Sequence, residues 1–133
     1  MPNLTLTAQD EITIRTAAWG TVSLMSAAGI AGSAHKVGTD ASLALASATG
    51  AVGHVVASAK GAKLKGKSTA ELADHVFPAL TESVRILGQD PEELENFRTL
   101  IGIVIDAANR AHRGGPSPVM AEMARKINEA LDA

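Results

Sequence analysis

A phosphate-binding pattern is the most specific chemical motif in the sequence. Residues 61–68 read Gly-Ala-Lys-Leu-Lys-Gly-Lys-Ser, which satisfies the G-x-x-x-x-G-K-[ST] pattern of the P-loop. In such a loop, backbone N–H groups surround the phosphate, Lys67 would reach the outer phosphates and Ser68 would hold magnesium. The segment therefore predicts an anion site formed by Gly61, Gly66, Lys67 and Ser68.

The surroundings of this segment differ from those of a nucleotide-hydrolysing domain. A P-loop joins a strand to a helix in a parallel sheet, whereas the residues before Gly61 are rich in alanine and favour helix. The chain that follows is too short for the remaining βα units, which need about 30 residues each. Phosphate or nucleotide binding through Gly61–Ser68 is therefore kept as an alternative function. The other interpretation of the segment is a solvated, lysine-rich connection.

The remaining chemically active residues form no recognisable site. The four histidines, at positions 35, 54, 75 and 112, have no spacing typical of metal ligands, and the chain has no cysteine. No serine lies in a strained-turn motif of the kind that exposes a nucleophile. We therefore expect no catalytic residue, no metal and no cofactor, and we favour a protein without enzymatic activity.

Composition restricts the partners and the location. The net charge of −2 lacks the basic surplus of a nucleic-acid binder, so no nucleic-acid partner is expected. The lack of cysteine makes the cytoplasm the default location. Residues 16–34 carry no charge, but most of them are Ala, Gly, Ser or Thr, and a membrane-spanning helix needs about 20 predominantly apolar residues. A membrane-associated helical hairpin is kept as a further alternative.

Helical periodicity and capping residues predict an all-α fold. The clearest helix follows Asp90, a good N-cap, and Pro91, which suits the first helical position. It is apolar over more than half its circumference, which predicts a place at the centre of a bundle. Four further helices are expected at about 8–28, 40–59, 69–87 and 118 onwards, with a turn at about 35–40. The predicted N-caps of the first, third and last of these are Thr7, Ser68 and Ser117. The expected architecture is a single-domain bundle of about five helices over residues 1–133.

The first two predicted helices suggest an interface. Neither has a well-charged face, and glycines within a helix cost about 1 kcal/mol each relative to alanine. Such glycines are easiest to explain where another backbone comes close. The contact would lie within one chain or between the chains of a homodimer, and exposed apolar faces favour self-association as the leading function. The predicted interface residues are Trp19, Leu43, Ala46, Gly50 and Gly53.

The overall plan resembles a loose group of small all-helical bacterial proteins of unknown function. The resemblance lies in a capped first helix with a tryptophan, an Ala/Gly-rich second helix, the Pro-Glu-Glu-Leu-Glu-x-Phe sequence at 91–97 and a final helix that begins with Ser-Pro. It covers most of the chain and implies an all-α fold. It implies no activity and no catalytic residues.

Overall fold

The computed structural model of the chain describes residues 4–29, 34–66, 68–112 and 115–133, without the side chains of Ala34 and His35. These residues form six α-helices and no strand. Side chains from all six helices contribute to a single hydrophobic cluster, so the predicted all-α bundle is confirmed. The helices are α1 (Ala8–Ala28), α2 (Ala34–Ala46), α3 (Gly50–Val56), α4 (Thr69–Leu87), α5 (Pro91–Ala111) and α6 (Pro118–Asp132).

Four of the helices begin at the predicted capping residues. The side chains of Thr7, Ser68, Asp90 and Ser117 each accept a hydrogen bond from a backbone N–H in the first turn of α1, α4, α5 and α6. Those N–H groups have no carbonyl partner within the helix, so a side-chain acceptor stabilises the start. The local sequence therefore sets where these helices begin.

The single helix predicted over residues 40–59 is wrong. The chain forms two helices there, and the turn expected at 35–40 lies inside α2. α2 begins at Ala34, before the predicted start at about residue 40. The earlier start buries Val37 on the same face of the helix as Ala41 and Leu45. α3 begins at Gly50, which has a φ of +76°. Glycine enters this left-handed region without the steric cost of a side chain, so it allows the corner between α2 and α3.

α1 shares the centre of the bundle with α5, the helix that the sequence predicted there, because each of them contacts all the other described helices. α1 contacts each of the five other helices, most extensively α4. Gly20 permits this approach, because a Cβ at that position would lie 2.4 Å from Cγ2 of Val76 in α4. α5 also contacts all five other helices, most extensively α2, and its Ile103 is 44% exposed to solvent.

Two glycine substitutions test this packing. A Cβ on Gly102, within α5, would meet no atom within 4 Å. Gly102→Ala should raise the free energy of unfolding by about 1 kcal/mol, because alanine loses less backbone entropy in a helix. Gly20→Ala, the matched substitution in α1, should lower it because Val76 must move. Urea unfolding followed by circular dichroism at one protein concentration measures both. Equal effects of the two substitutions would contradict the close α1–α4 contact.

Candidate functional site

Side chains of α5 hold the start of α3. Oε1 of Glu93 accepts the backbone N–H of Val52 at 2.9 Å, and Nδ2 of Asn96 donates to the carbonyl of Thr49 at 2.8 Å. Thr49 occupies the N-cap position, yet its own side chain makes no capping bond. The carboxylate also suits the positive end of the helix dipole. The start of α3 is therefore stabilised by residues distant in sequence.

Side chains of α1 hold the end of the same helix. Nε of Arg15 donates to the carbonyl of Val55 at 2.9 Å, and Nε1 of Trp19 donates to the carbonyl of Val56 at 3.0 Å. These carbonyls belong to the last turn, which lacks helical N–H partners. A helix of seven residues has little stability of its own, so these contacts fix both α3 and the orientation of the indole ring.

The fixed indole lies on an open groove between α1 and α2, which we call the α1–α2 groove. Its volume is about 870 Å³. Among the residues that the structure describes, no charged side chain lines it. The lining residues are Trp19, Val22, Ser23, Ser26, Ala27, Gly38, Thr39, Ser42, Leu43 and Ala46.

The α1–α2 groove contains a large exposed apolar side chain. Leu43 is 66% exposed. Trp19 is half-buried, and Ala27 and Ala46 are exposed. At Gly38 the two helices come close, because a Cβ there would lie 3.0 Å from Oγ of Ser26. The groove is therefore an uncharged surface with small residues and one prominent leucine.

The structure brings together three of the five predicted interface residues. Trp19, Leu43 and Ala46 line the α1–α2 groove, whereas Gly50 and Gly53 lie at the corner between α2 and α3. Gly53 is buried, and a Cβ there would lie 2.5 Å from the carbonyl oxygen of Ala48. A Cβ on Gly50 would lie 2.9 Å from the Glu93 carboxylate. Both glycines therefore serve contacts within the chain.

Three of the four predicted anion-binding residues are described by the structure, and each of them makes contacts that serve the fold. Oγ of Ser68 accepts the N–H of Glu71 at 3.2 Å as the N-cap of α4. Gly61 has a φ of +81°, and a Cβ there would lie 3.1 Å from Cγ1 of Ile12. A Cβ on Gly66 would lie 3.0 Å from the backbone nitrogen of Leu72.

A P-loop also requires a strand before the phosphate-binding segment. Lys67 lies outside the described residues, and within the described ranges no strand precedes the segment. The arrangement is that of a connection between helices rather than of a P-loop in a parallel sheet.

The same loop nevertheless lines a second cleft. Two adjoining cavities of about 220 and 320 Å³ share Lys63 and His75, and the larger one also contacts Ala62 and Lys65. The sequence drew attention to the lysines but gave no sign that His75 lies beside them. This proximity arises from the way the loop folds back before α4, so no short motif records it. We call this region the Lys63–His75 cleft.

Within the parts of the chain that the structure describes, no group of three His, Cys, Asp or Glu side chains is arranged to hold a metal ion. None of the described helices is both long enough and apolar enough to cross a membrane.

Comparison with known proteins identifies no relative. No family model matches the chain, and none of the curated proteins or solved structures with which it was compared is similar to it. The resemblance in overall plan therefore assigns no family, and function has to be inferred from the geometry of the groove and the cleft.

Replacing Trp19 by phenylalanine tests its role in holding α3. Trp19→Phe keeps an aromatic ring on the α1–α2 groove but removes the Nε1–H that donates to Val56. The free energy of unfolding should fall by about 1–2 kcal/mol, because a carbonyl loses its partner and the smaller ring leaves space. Urea unfolding followed by circular dichroism at fixed protein concentration measures the change. An unaltered midpoint and slope would contradict this role.

Proposed function

We propose that the protein is a non-enzymatic interaction protein that forms a homodimer through the α1–α2 groove. The observation that carries this proposal is Leu43, which is 66% exposed on a groove whose described lining residues are all uncharged. The lack of cysteine supports the cytoplasm as its location.

The groove has the properties of an interface core. Contiguous exposed apolar surface on a folded protein marks contact sites more often than single exposed residues do. The core of an interface is poor in charge and often contains an aromatic anchor. Trp19 fits this role, because its bond to Val56 already fixes the ring. Binding would therefore cost little of its conformational entropy.

A second copy of the chain is the partner that fits this surface. The described lining residues carry no charge with which to select an acidic or basic partner. It does carry both a projecting apolar side chain and small residues that leave space, namely Leu43 beside Ala27, Gly38 and Ala46. In a two-fold dimer the same patch faces itself, so Leu43 of each chain would enter the groove of the other.

The decisive substitution is Leu43→Glu. The parent protein should have a mass of about 27 kDa in light scattering after size exclusion, twice the 13.6 kDa of one chain. Leu43→Glu should have the mass of a single chain, because burial of a carboxylate in an apolar contact is unfavourable. Ile103→Glu is the matched control, since Ile103 is an exposed apolar residue of α5 that does not line the groove.

Ile103→Glu should remain dimeric, and both variants should keep the helical circular dichroism of the parent. A monomeric parent at high protein concentration would overturn the proposed function. A dimer that survives Leu43→Glu but not Ile103→Glu would place the interface on α5 instead.

A further inference from the structure

We infer that the Lys63–His75 cleft binds a small phosphate monoester, with the phosphate at Lys63, Lys65 and His75. This inference is independent of the proposed dimer, because no residue that lines the cleft also lines the α1–α2 groove.

The cleft has two parts with different chemistry. The larger cavity, about 320 Å³, is lined by Ala62 and the three basic residues. The smaller, about 220 Å³, extends from Lys63 and His75 between α1 and α4. Together they reach the size of small-molecule sites, which begins at about 300 Å³. The smaller cavity is also lined by Gln9, Ile12, Thr13, Thr16, Pro78, Ala79 and Glu82.

Lys63 and Lys65, the lysines of the cleft, form no ion pair within the part of the chain that the structure describes. Glu82, the acidic residue that lines the smaller cavity, is paired with Arg85. The Arg85 guanidinium hydrogen-bonds to this carboxylate and holds the pKa of Glu82 below its ordinary value. The carboxylate therefore stays ionised and engaged with Arg85.

The lysine-bearing loop is anchored rather than free. The backbone N–H of Lys63 donates to Oγ1 of Thr16 at 2.9 Å, and Thr16 is buried in α1. Nη1 of Arg15 donates to the carbonyl of Lys60 at 3.4 Å, and the side chain of Leu64 is half-buried. A ligand would meet basic residues whose backbone is already ordered, which reduces the entropic cost of binding.

The three basic groups select a doubly charged anion with several acceptor oxygens. Two ammonium groups carry more positive charge than one carboxylate balances, and the imidazole adds a hydrogen-bonding ring nitrogen. A phosphate monoester carries a charge of about −1.5 to −2 near neutral pH and therefore matches the two ammonium groups. Lysine binds phosphate through the single charge of its ammonium group and, unlike arginine, does not need a planar, bidentate geometry. The uncharged residues Ile12, Pro78 and Ala79 offer contact to the organic part of the ester in the smaller cavity.

Titrations followed by ¹H–¹⁵N NMR test this assignment with defined probes: phenyl phosphate, inorganic phosphate and benzoate. Phenyl phosphate should cause saturable shifts in the amides of residues 62–65 and in the imidazole of His75. Inorganic phosphate should shift the same signals but bind more weakly, because it lacks a body for the smaller cavity. Benzoate should bind more weakly than phenyl phosphate because it carries one charge.

Lysine substitutions give a matched comparison. Lys63→Ala and Lys65→Ala should each weaken phenyl phosphate binding by about tenfold or more, the size expected for one charge-assisted contact. Lys60→Ala is the control, because it removes the same charge from the same loop but lines neither cavity. It should change the affinity by less than about twofold. Leu43→Glu should bind like the parent, which separates this test from that of the dimer.

Three results would overturn the inference. The first is the lack of saturable shifts with phenyl phosphate. The second is an equal loss of affinity in Lys60→Ala and Lys63→Ala, which would indicate general attraction to a basic loop. The third is benzoate binding as tightly as phenyl phosphate, which would contradict the selection of a doubly charged group.

Discussion

Three polar side chains of α1 hold the backbone on which both candidate sites depend. Arg15 and Trp19 donate to the last carbonyls of α3, and Thr16 accepts the N–H of Lys63 in the loop beyond it. A seven-residue helix followed by a loop would not keep one conformation from local interactions alone. Because α1 also contacts every other helix, this attachment joins the least regular part of the chain to the centre of the bundle.

The same attachment positions the two surfaces where we propose binding. The bond from Trp19 to Val56 fixes the indole ring on the α1–α2 groove, and the bond from Lys63 to Thr16 fixes the loop that carries the basic cleft. Both surfaces therefore use residues that are already ordered, so less free energy is lost on binding than with mobile side chains and loops. Their chemistry differs, because the described residues of the groove are uncharged, whereas the cleft contains two lysines and a histidine.

The sequence predicted the structural features that depend on interactions between residues close together in the chain. Thr7, Ser68, Asp90 and Ser117 cap helices because each reaches an N–H in the adjoining turn. The sequence did not predict the break between α2 and α3, because distant residues support it. Glu93 bonds to Val52, which lies 41 positions earlier in the chain, and Asn96 bonds to Thr49, which lies 47 positions earlier. The helical pattern of the sequence suggested one long helix, whereas the left-handed φ of Gly50 and these distant contacts favour two. Among the five predicted interface residues, the structure brings Trp19, Leu43 and Ala46 together on the groove, whereas Gly50 and Gly53 lie at the corner between α2 and α3. Their part in an interface stays a prediction.

Quenching of Trp19 fluorescence tests the central claim, that the α1 face bearing this residue is covered by a second chain. Trp19 is the only tryptophan in the sequence, so the signal reports the α1–α2 groove alone. We expect the acrylamide quenching constant to fall as protein concentration rises through the range in which light scattering records dimer formation. A constant that stays the same while the mass doubles would place the contact elsewhere and contradict the claim.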